Sequence, residues 1–332
     1  MTVTISGAGP ITGSDRAASG TNADITSVTA LAAVNTGQLA GLRNRIINGG
    51  MQVAQRAAAT LTAAYQFGQC DRWQFICSGG TGISGSIVVN AFNAFASGSS
   101  GGVTGASWTN GQFYGQQRIE AKNIADLGGK TVTVSAKVYQ DTGGSRSFNI
   151  QLVKATAGVD NFTTQAAIGT SGALAVATAA VTAISATFTL GASDHLNGIA
   201  VLINDTATNT VVAKAYLIGD VQLEVGSVAT PFEQRPYGLE LLLCQRYYEV
   251  FTNGWTGNTT NTANYYGTSN FAATKRANPT LASVAQAGQG NGSINARTAS
   301  SIQTTGVDIV GAANATVNGG GWIDIWSASA EL

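Results

Sequence analysis

Charge is the scarcest feature of this sequence. Asp, Glu, Lys and Arg make up 10% of its 332 residues, against about a quarter in an average soluble domain. The 17 basic and 17 acidic residues cancel, so the chain offers no field that would attract a polyanion. Its densest cationic stretch consists of Arg43, Arg45 and Arg56, whereas a nucleic-acid site needs a basic stripe. We therefore expect no nucleic-acid partner.

Long hydrophobic runs are also missing. No window approaches the roughly 20 apolar residues that a membrane-spanning helix needs. Residues 1–4 lack the charged start and apolar core of a secretory signal. We expect no membrane insertion, and we expect the protein to be made and assembled in a cytoplasm.

The residues that usually carry chemistry are few. Cys70, Cys77 and Cys244 form an odd set without metal-ligand spacing, which predicts reduced, packed thiols. The one histidine, His195, follows Asp194 in a loop-like stretch, where sequence neighbours rarely face each other, so we expect a surface residue. The motifs of zinc proteases, phosphate-binding loops and serine hydrolases do not occur. The sequence therefore predicts no cofactor and no enzymatic activity.

The missing charged residues are replaced by Ala, Gly, Ser, Thr and Asn. Such a mixture favours short strands, tight turns and surfaces that are buried between subunits. A monomer this poor in charge is prone to association. We therefore expect a homo-oligomer.

The chain divides into three parts by pattern. Residues 1–43 carry scattered single aliphatics and are expected to be extended, with 25–42 as a candidate for a small helix or a three-chain contact. Residues 44–236 alternate apolar and polar positions in many short stretches separated by Gly and Asn turns, which indicates a β-sandwich or jelly roll. The predicted strands are 130–139, 147–153, 185–190, 198–203 and 211–225.

The third part, 237–332, opens with the one amphipathic helix that the sequence predicts. Pro236 precedes it, and the helix is expected to run to Glu249. Spacings of three and four residues place Leu239, Leu242, Leu243 and Tyr247 on one face. We expect these four side chains to contact another subunit. The rest of this part returns to short strands, of which 319–326 is the last.

Aromatic rings are concentrated in the last third of the chain, among Asn and Thr. Sugars stack on exposed Trp and Tyr faces, so Trp255, Tyr265, Tyr266 and Trp322 are candidates for glycan binding. The alternative is that these rings form the core of a small domain. Hydrolysis of a glycan would need two carboxylates at a suitable separation. The single carboxylates that could form such a pair include Asp71, Asp160, Glu224 and Asp324.

Three stretches resemble bacteriophage tail-fibre and virion-appendage proteins that carry a jelly-roll module similar to carbohydrate-binding modules. The first is N-R-I-I-N-G-G-M-Q-V-A-Q-R at 44–56, followed by C-D-R-W at 70–73. The second is G-D-V-Q-L-E-V-G-S-V-A-T-P-F-E at 219–233, and the third is R-P-Y-G-L-E-L-L-L-C-Q-R-Y-Y-E at 235–249. A weaker similarity, at 19–28, is to the collar segments of fibre subunits.

The resemblance implies a homotrimer in a virion. Residues 1–43 would attach it to other virion proteins, 44–236 would form the jelly roll, and 237–332 would form a helix and a β tip domain that lies outermost. In related modules a structural calcium lies near the first and last strands. Here 50–52 are neutral, so no metal is expected, and Asp220 is the one nearby carboxylate that could serve as a ligand.

Three functions follow as hypotheses. The first is a non-enzymatic fibre subunit that helps a phage meet a host-surface glycan. The second is a purely architectural head fibre or decoration protein without a receptor. The third is a depolymerase acting on surface polysaccharide. The fold expected in all three is mainly β, a jelly-roll β-sandwich with one short amphipathic helix and a small C-terminal β domain.

Overall fold

A computed structural model describes residues 33–34, 37–38, 42–289, 294 and 297–332. Strands β1 (Ala33–Val34) and β2 (Gly37–Gln38) form a two-residue antiparallel pair. The rest of the predicted attachment segment, including 19–28 and most of 25–42, lies outside the described residues. No helix in the described part of the chain is both long and apolar enough to cross a membrane.

Twelve strands form a β-sandwich, which confirms the predicted fold class. The short strands that open it are β3 (Ala59–Thr60), β4 (Gln66–Phe67) and β5 (Gln74–Ser78). The longer ones are β6 (Thr81–Ala91), β7 (Ser99–Ile119), β8 (Thr131–Gln140) and β9 (Arg146–Ala155). The remainder are β10 (Gln165–Thr170), β11 (Leu174–Val176), β12 (Thr182–Thr189), β13 (Ile199–Asp205) and β14 (Asn209–Val225). The five strands predicted from alternation all lie within or overlap these.

Strand β7 belongs to both layers of the sandwich. Its first half pairs with β6 and β14, in a layer that continues to β8 and β12. Its second half pairs with β5 and β13, in a layer that continues to β9 and β10. Gly102 permits the close approach of β7 to β14, because a Cβ there would lie 2.1 Å from the carbonyl oxygen of Tyr216.

Alternation along the strands builds the core between the two layers. Val132, Val134 and Val138 of β8 point inward and are fully buried, as the sequence pattern predicts. Phe113 stacks on Tyr216 with ring centroids 5.2 Å apart. Cys70, Cys77 and Cys244 are buried free thiols, and burial raises the pKa of Cys70 to about 12.

One α-helix, α1 (Tyr237–Gln245), is present in the described residues, with a short 3-10 helix at Ala121–Ile124. The helix was expected to reach Glu249, but it ends at Gln245 because Tyr248 already pairs with Ser329 in a sheet. Its buried positions are Glu240 and Cys244, one residue away from the predicted apolar face.

The remaining strands form two three-stranded antiparallel sheets that pack on each other. The first contains β15 (Tyr248–Thr259), β17 (Thr280–Gln289) and β20 (Val317–Ser329), with β20 in the middle. The second contains β16 (Asn264–Asn270), β18 (Thr298–Ile302) and β19 (Gly306–Ala312), with β19 in the middle. Their shared core includes Phe251, Phe271, Ile309 and Trp326.

A buried polar junction joins the helix to the opening of the sandwich. Arg235 donates to the carbonyl oxygens of Asn44 and Ile46 and is paired with Glu240. The Glu240 carboxylate in turn accepts from the backbone N–H of Asn48. Because all these groups are buried, each depends on the others for its hydrogen bonds.

Asn48 is the centre of this junction. It has a positive φ of 55°, a conformation in which Asn is enriched. Its Nδ2 donates to the carbonyl oxygens of Val53 (2.9 Å) and Asp71 (3.0 Å), and its Oδ1 accepts from Val53 N (3.0 Å). Its own carbonyl oxygen accepts from Trp73 Nε1 at 3.1 Å. Residues from separate parts of the chain therefore meet at one residue, through its side chain and its backbone.

We expect Asn48→Ala to lower the free energy of unfolding by about 2 kcal/mol or more, because the Val53 N–H and the Asp71 carbonyl oxygen lose buried hydrogen-bond partners at about 1–3 kcal/mol each. Chemical denaturation followed by tryptophan fluorescence measures the change. Asn264→Ala, an Asn-to-Ala change at an exposed position of β16, is the control and should change stability by less than about 0.5 kcal/mol. Equal losses in the two variants would contradict the role given to Asn48.

Candidate functional site

The aromatic residues predicted to bind a glycan separate into buried and exposed ones. Trp322 is fully buried, and its Nε1–H donates to Asn253 Oδ1 at 3.2 Å. Trp255 stacks on Trp322 and also lies 4.3 Å from Tyr265, measured between ring centroids. Trp322 is therefore corrected from a ligand-stacking residue to a core residue, because no part of its ring is open to a ligand.

Tyr266 has the opposite environment. It is 55% exposed and lies on the outer face of the sheet formed by β16, β18 and β19. Two residues along the strand, Thr268 Oγ1 donates to Asp308 Oδ1 at 2.7 Å, and these two side chains line a polar groove of about 180 Å³. The structure leaves Tyr266 accessible, and its role in glycan binding stays a prediction.

The residues predicted to form a subunit interface are also divided. Leu242 is 46% exposed, and Leu239 and Leu243 are half-buried. Tyr247 is fully buried, with the guanidinium carbon of Arg72 3.5 Å from its ring centroid. Tyr247 is therefore unavailable to another subunit, because the sandwich of its own chain already covers it.

Asp220, the candidate metal ligand, is occupied by protein groups. Its carboxylate accepts from the backbone N–H groups of Ala96 (2.6 Å) and Ser97 (3.0 Å) and lies 3.0 Å from Lys137 Nζ. In the part of the chain that the structure describes, no group of three or more potential metal ligands comes together. Asp220 instead fixes the loop that leads into β7.

The carboxylates considered for glycan hydrolysis have separate partners. Asp324 forms a bidentate pair with Arg297 (2.6 and 2.8 Å), and Glu224 accepts from Thr230 Oγ1 at 2.6 Å. Asp160 accepts from the backbone N–H of Ala121 at 2.8 Å. Each of these groups holds a different part of the fold together.

Asp71 has the most unusual environment of the four. It is fully buried and paired with Arg56 at 2.9 Å. Burial is the largest effect and raises the pKa of the Asp71 carboxyl from 3.8 to about 6, although Arg56 and Gln55 lower it. Raised carboxyl pKa values occur in general acids. This carboxyl, however, has no exposed surface through which it could reach a substrate.

The outer side of the layer containing β5, β7, β13 and β9 is rich in side-chain amides. Strand alternation directs the apolar residues of these strands into the core and the intervening residues outward. We call this surface the amide face. Its amide residues are Gln74, Gln112, Gln116, Asn149, Gln151 and Asn204.

All the amide residues except Gln112 lie in two rows that run across the strands, and in one row the apolar Leu202 separates Gln116 from Gln151. Tyr114, Asn204 and Asn149 are consecutive cross-strand partners in one row. In the other, Gln74 and Gln116 are cross-strand partners, and Gln116 Nε2 donates to Gln74 Oε1 at 2.8 Å. Neighbouring positions within a row are about 5 Å apart, because that is the spacing of adjacent strands.

The centre of the amide face is buried and its edge is partly exposed. Gln116 is 1% exposed and Asn204 is 3% exposed, whereas Tyr114, Asn149 and Gln151 around them are half-buried. We call the two central positions, Gln116 and Asn204, the floor of the amide face.

Three hydrogen-bond acceptors on this face have no partner. They are Gln116 Oε1, Asn149 Oδ1 and Asn204 Oδ1, and each of these atoms is buried. Of all the side-chain amides in the described residues, only one more, that of Asn90, has a buried atom without a partner. Buried polar atoms in native proteins are nearly always satisfied by protein, water or ligand. The amide face thus concentrates unused acceptors.

Two tyrosines and one arginine complete the face. Burial raises the pKa of Tyr65 to about 12, and the nearby Tyr114 ring contributes to the shift, so both phenols are neutral donors at physiological pH. Arg118 projects outward beyond Gln116, and its Nη1 donates to the backbone oxygen of Leu332 at 2.6 Å. The face is therefore neutral, apart from an arginine at one end.

Sequence reasoning missed the amide face. Its signal is the run Gln112-Phe113-Tyr114-Gly115-Gln116-Gln117-Arg118, in which long polar or aromatic side chains occupy every outward position. This run is not among the strands predicted from the sequence, and the aromatic residues predicted to bind a glycan lie in the C-terminal sheets instead.

No family model and no curated protein matches the chain. Several solved structures of carbohydrate-binding modules resemble it weakly. The CBM22-1 xylan-binding domain of Paenibacillus barcinonensis Xyn10C is 14% identical, with a TM-score of 0.32 over 47% of this chain and 87% of that domain. The family 11 module of Clostridium thermocellum, in complex with a mixed-linked tetrasaccharide, is 13% identical, with a TM-score of 0.29 over 48% and 91%. Similarities of this size carry no conclusion about a ligand.

The raised pKa of Asp71 predicts a pH dependence of stability. The folded state holds the Asp71 proton more tightly than the unfolded chain, so this contribution to stability is complete below pH 3.8 and is lost as the pH rises through about 6. Its size is on the order of 3 kcal/mol, since one pKa unit corresponds to about 1.4 kcal/mol. As the pH rises from 4 to 6, the free energy of unfolding of the parent protein should fall relative to that of Asp71→Asn. Denaturant titrations of both proteins at each pH measure the difference. Parallel curves would show that Asp71 titrates normally.

Proposed function

We propose that the chain binds a neutral glycan at the amide face, without catalysis, as a subunit of a phage particle that acts at the host surface. The observation that carries the binding proposal is the group of three buried, unpartnered acceptor oxygens on the amide face, those of Gln116, Asn149 and Asn204. The particle and the host surface are proposed from the resemblance of the sequence to virion-appendage proteins.

The chemistry of the face favours a ligand with several hydroxyl groups. Gln116 Oε1, Asn149 Oδ1 and Asn204 Oδ1 need hydrogen-bond donors, and sugar hydroxyls are donors that can reach adjacent acceptors about 5 Å apart. In the ligand-free protein these oxygens are closed to solvent, so a ligand reaches them only when the half-buried side chains of Tyr114, Asn149 and Gln151 move aside. The rings of Tyr65 and Tyr114 offer the apolar surface that sugar rings stack on.

The proposal of binding without hydrolysis is supported by the carboxylates. Asp205 is adjacent to Asn204 in sequence, but it projects to the other side of β13 and is held in a bidentate pair with Arg146 (2.6 and 2.9 Å). Neither Asp205 nor the buried Asp71 is directed into the amide face. A depolymerase would need two carboxylates on either side of a bound sugar.

The role in a particle is supported by the way that the resembling stretches come together. Asn48 of the first stretch contacts Glu240 of the third. Asn44 of the first donates through Nδ2 to the carbonyl oxygen of Val221 in the second, at 3.0 Å. The three stretches thus form one framework, which explains their joint occurrence in this sequence. We propose that the protein is assembled into a virion in the host cytoplasm through residues 1–43.

The glycan proposal predicts an unusual combination of effects for Asn204→Leu. Glycan binding should fall at least tenfold, because one acceptor is lost and a bulkier apolar group fills the floor of the face. The free energy of unfolding should stay the same or rise by about 1 kcal/mol, because a buried polar atom without a partner is removed. Binding is measured on a glycan array and by calorimetry with each positive glycan, and stability by denaturation.

Asn90→Leu is the matched control, because Asn90 also has an unpartnered buried amide atom but lies on β6 in the other layer. It should keep full glycan binding. If the parent binds no neutral glycan on the array or on host cells, the proposal fails and the purely architectural reading gains support. Release of reducing sugar from a bound polysaccharide would favour the depolymerase.

We also propose that the protein is a homo-oligomer, expected to be a trimer, and the structure offers a second surface for its interface. In β20, Asp324 points inward while Ile323 and Ile325 are 45% and 40% exposed on the outer face of the sheet. Val250 of β15 and Val284 of β17 are exposed in the same sheet. A group of exposed aliphatic residues on one face is typical of an interaction surface, whereas exposed aliphatic residues scattered singly are not.

Light scattering of the parent should therefore give a mass that is a multiple of 33.7 kDa. Ile325→Glu should reduce it to the monomer if the sheet forms the interface, and Leu242→Glu should do so if the helix does. Val212→Glu, at an aliphatic residue of the sandwich that is also exposed, is the control and should leave the mass unchanged. A monomeric parent at all concentrations would reject the oligomer.

A further inference from the structure

The polar groove on the outer face of the sheet formed by β16, β18 and β19 has the features of a second binding site. Its volume is about 180 Å³, and the polar side chains that line it are those of Thr268, Asn270, Ser301, Gln303, Thr305 and Asp308. Gly306 also lines the groove, and a Cβ there would lie 3.2 Å from Asn270 Oδ1. The groove stays open because this position has no side chain.

The register of the sheet places an exposed aromatic ring beside the groove. Asp308 is paired across the strands with Thr268 on one side and with Ser301 on the other. In the next outward row, Tyr266 is paired with Val310. Tyr266 and Asp308 are therefore diagonal neighbours on one face, about 7 Å apart, which is within reach of an aromatic side chain. A ligand that lies on the ring of Tyr266 is thus next to the Asp308 carboxylate.

Asp308 carries the one unbalanced side-chain charge of the C-terminal sheets, in the part of the chain that the structure describes. Residues 250–332 contain six Asp, Glu, Lys and Arg side chains, and the other five form ion pairs. These pairs are Lys275 with Glu249 (2.7 Å), Arg276 with Glu120 (3.5 Å), Arg297 with Asp324 (2.6 Å) and Glu331 with Arg56 (2.8 Å). Asp308 instead accepts a hydrogen bond from the neutral Thr268 hydroxyl. The groove is therefore negative by one charge and favours a ligand with a single positive charge.

The side chains of the groove suit an organic cation better than a metal ion. Calcium takes six to eight oxygen ligands and depends on several carboxylates, whereas the groove supplies one. The other groups that line it are mainly hydroxyls and amides, which both donate and accept hydrogen bonds. They match a ligand that carries hydroxyl groups next to its positive charge.

From these observations we propose that the polar groove binds an amino sugar, a hexose whose ring carries a protonated amine. The ammonium group would donate to the Asp308 carboxylate, in a charge-assisted hydrogen bond about twice as strong as a neutral one. The hydroxyl groups would pair with Asn270 and Ser301. The apolar side of the sugar ring would lie on Tyr266, whose ring also attracts the positive charge. This ligand differs in charge from the neutral glycan proposed for the amide face, and the two sites share no residue.

The test is an NMR titration of the full chain, followed by the backbone amide signals of Tyr266 and Asp308. Glucosamine, at a pH at which its amine is protonated, should shift these signals in a saturable way. Glucose and N-acetylglucosamine carry a hydroxyl and a neutral amide in place of the ammonium group, so both should bind about tenfold more weakly or worse. Ethanolamine carries the ammonium group without the sugar ring and should also bind more weakly than glucosamine, by a similar factor.

Two variants test the roles of the carboxylate and the ring. Asp308→Asn should weaken glucosamine binding about tenfold or more, because it removes the charge and keeps the size of the side chain. Asp126→Asn, at an exposed carboxylate of the sandwich, is its matched control and should bind like the parent. Tyr266→Ser should weaken binding about threefold, the size of one exposed cation–π contact. Tyr237→Ser, at a tyrosine of similar exposure (56% against 55%), should leave binding unchanged.

The proposal is overturned if glucose or ethanolamine binds as tightly as glucosamine, if Asp308→Asn binds like the parent, or if the shifts grow linearly with concentration. A thermal melt of each variant checks that the fold is kept. Asn204→Leu, which should weaken the binding of a neutral glycan at the amide face, should bind glucosamine like the parent. Failure of the groove proposal is therefore distinguishable from failure of the proposed function.

Discussion

The contact of Arg235 and Glu240 with residues 44–48 is the interaction on which the rest of the structure depends. It fixes the position of residues 44–48. Asn48 then connects this segment to those around Val53, Asp71 and Trp73. Burying ions is costly unless every hydrogen bond is made. Here the guanidinium, the carboxylate and the backbone groups satisfy one another, and only the Arg235 Nε–H is left over.

The amide face brings together three buried acceptor oxygens that have no partner, those of Gln116, Asn149 and Asn204. A buried polar atom without a hydrogen-bond partner lowers the stability of the fold by about 1–3 kcal/mol, so natural sequences keep few of them. Stability is a sum over the whole fold, so the well-packed core formed by residues such as Phe113 and Tyr216 can offset this cost.

The sequence predicted the strands well, because alternation over 130–139 and its counterparts depends only on which positions are buried. It predicted the helix less well: the end was placed at Glu249 and the apolar face one residue away, because pairing of Tyr248 in a sheet and burial of the Glu240 ion pair are tertiary effects. The candidate site was not predictable from composition. Whether an amide such as Gln116 finds a partner depends on neighbouring strands, and Trp322 could be told from an exposed ring only by its packing.

The last two residues of the sequence fold back onto the sandwich. Glu331 pairs with Arg56 at 2.8 Å and also with Arg72, and Leu332 accepts from Arg118. The C-terminal sheets are thus fastened at their entrance, near Tyr248, and again at their exit. A module held by a single linker swivels, whereas one fastened at two points resists torsion and shares a pulling load between both attachments. Two ion pairs and one hydrogen bond therefore stiffen the connection between the sandwich and the C-terminal sheets.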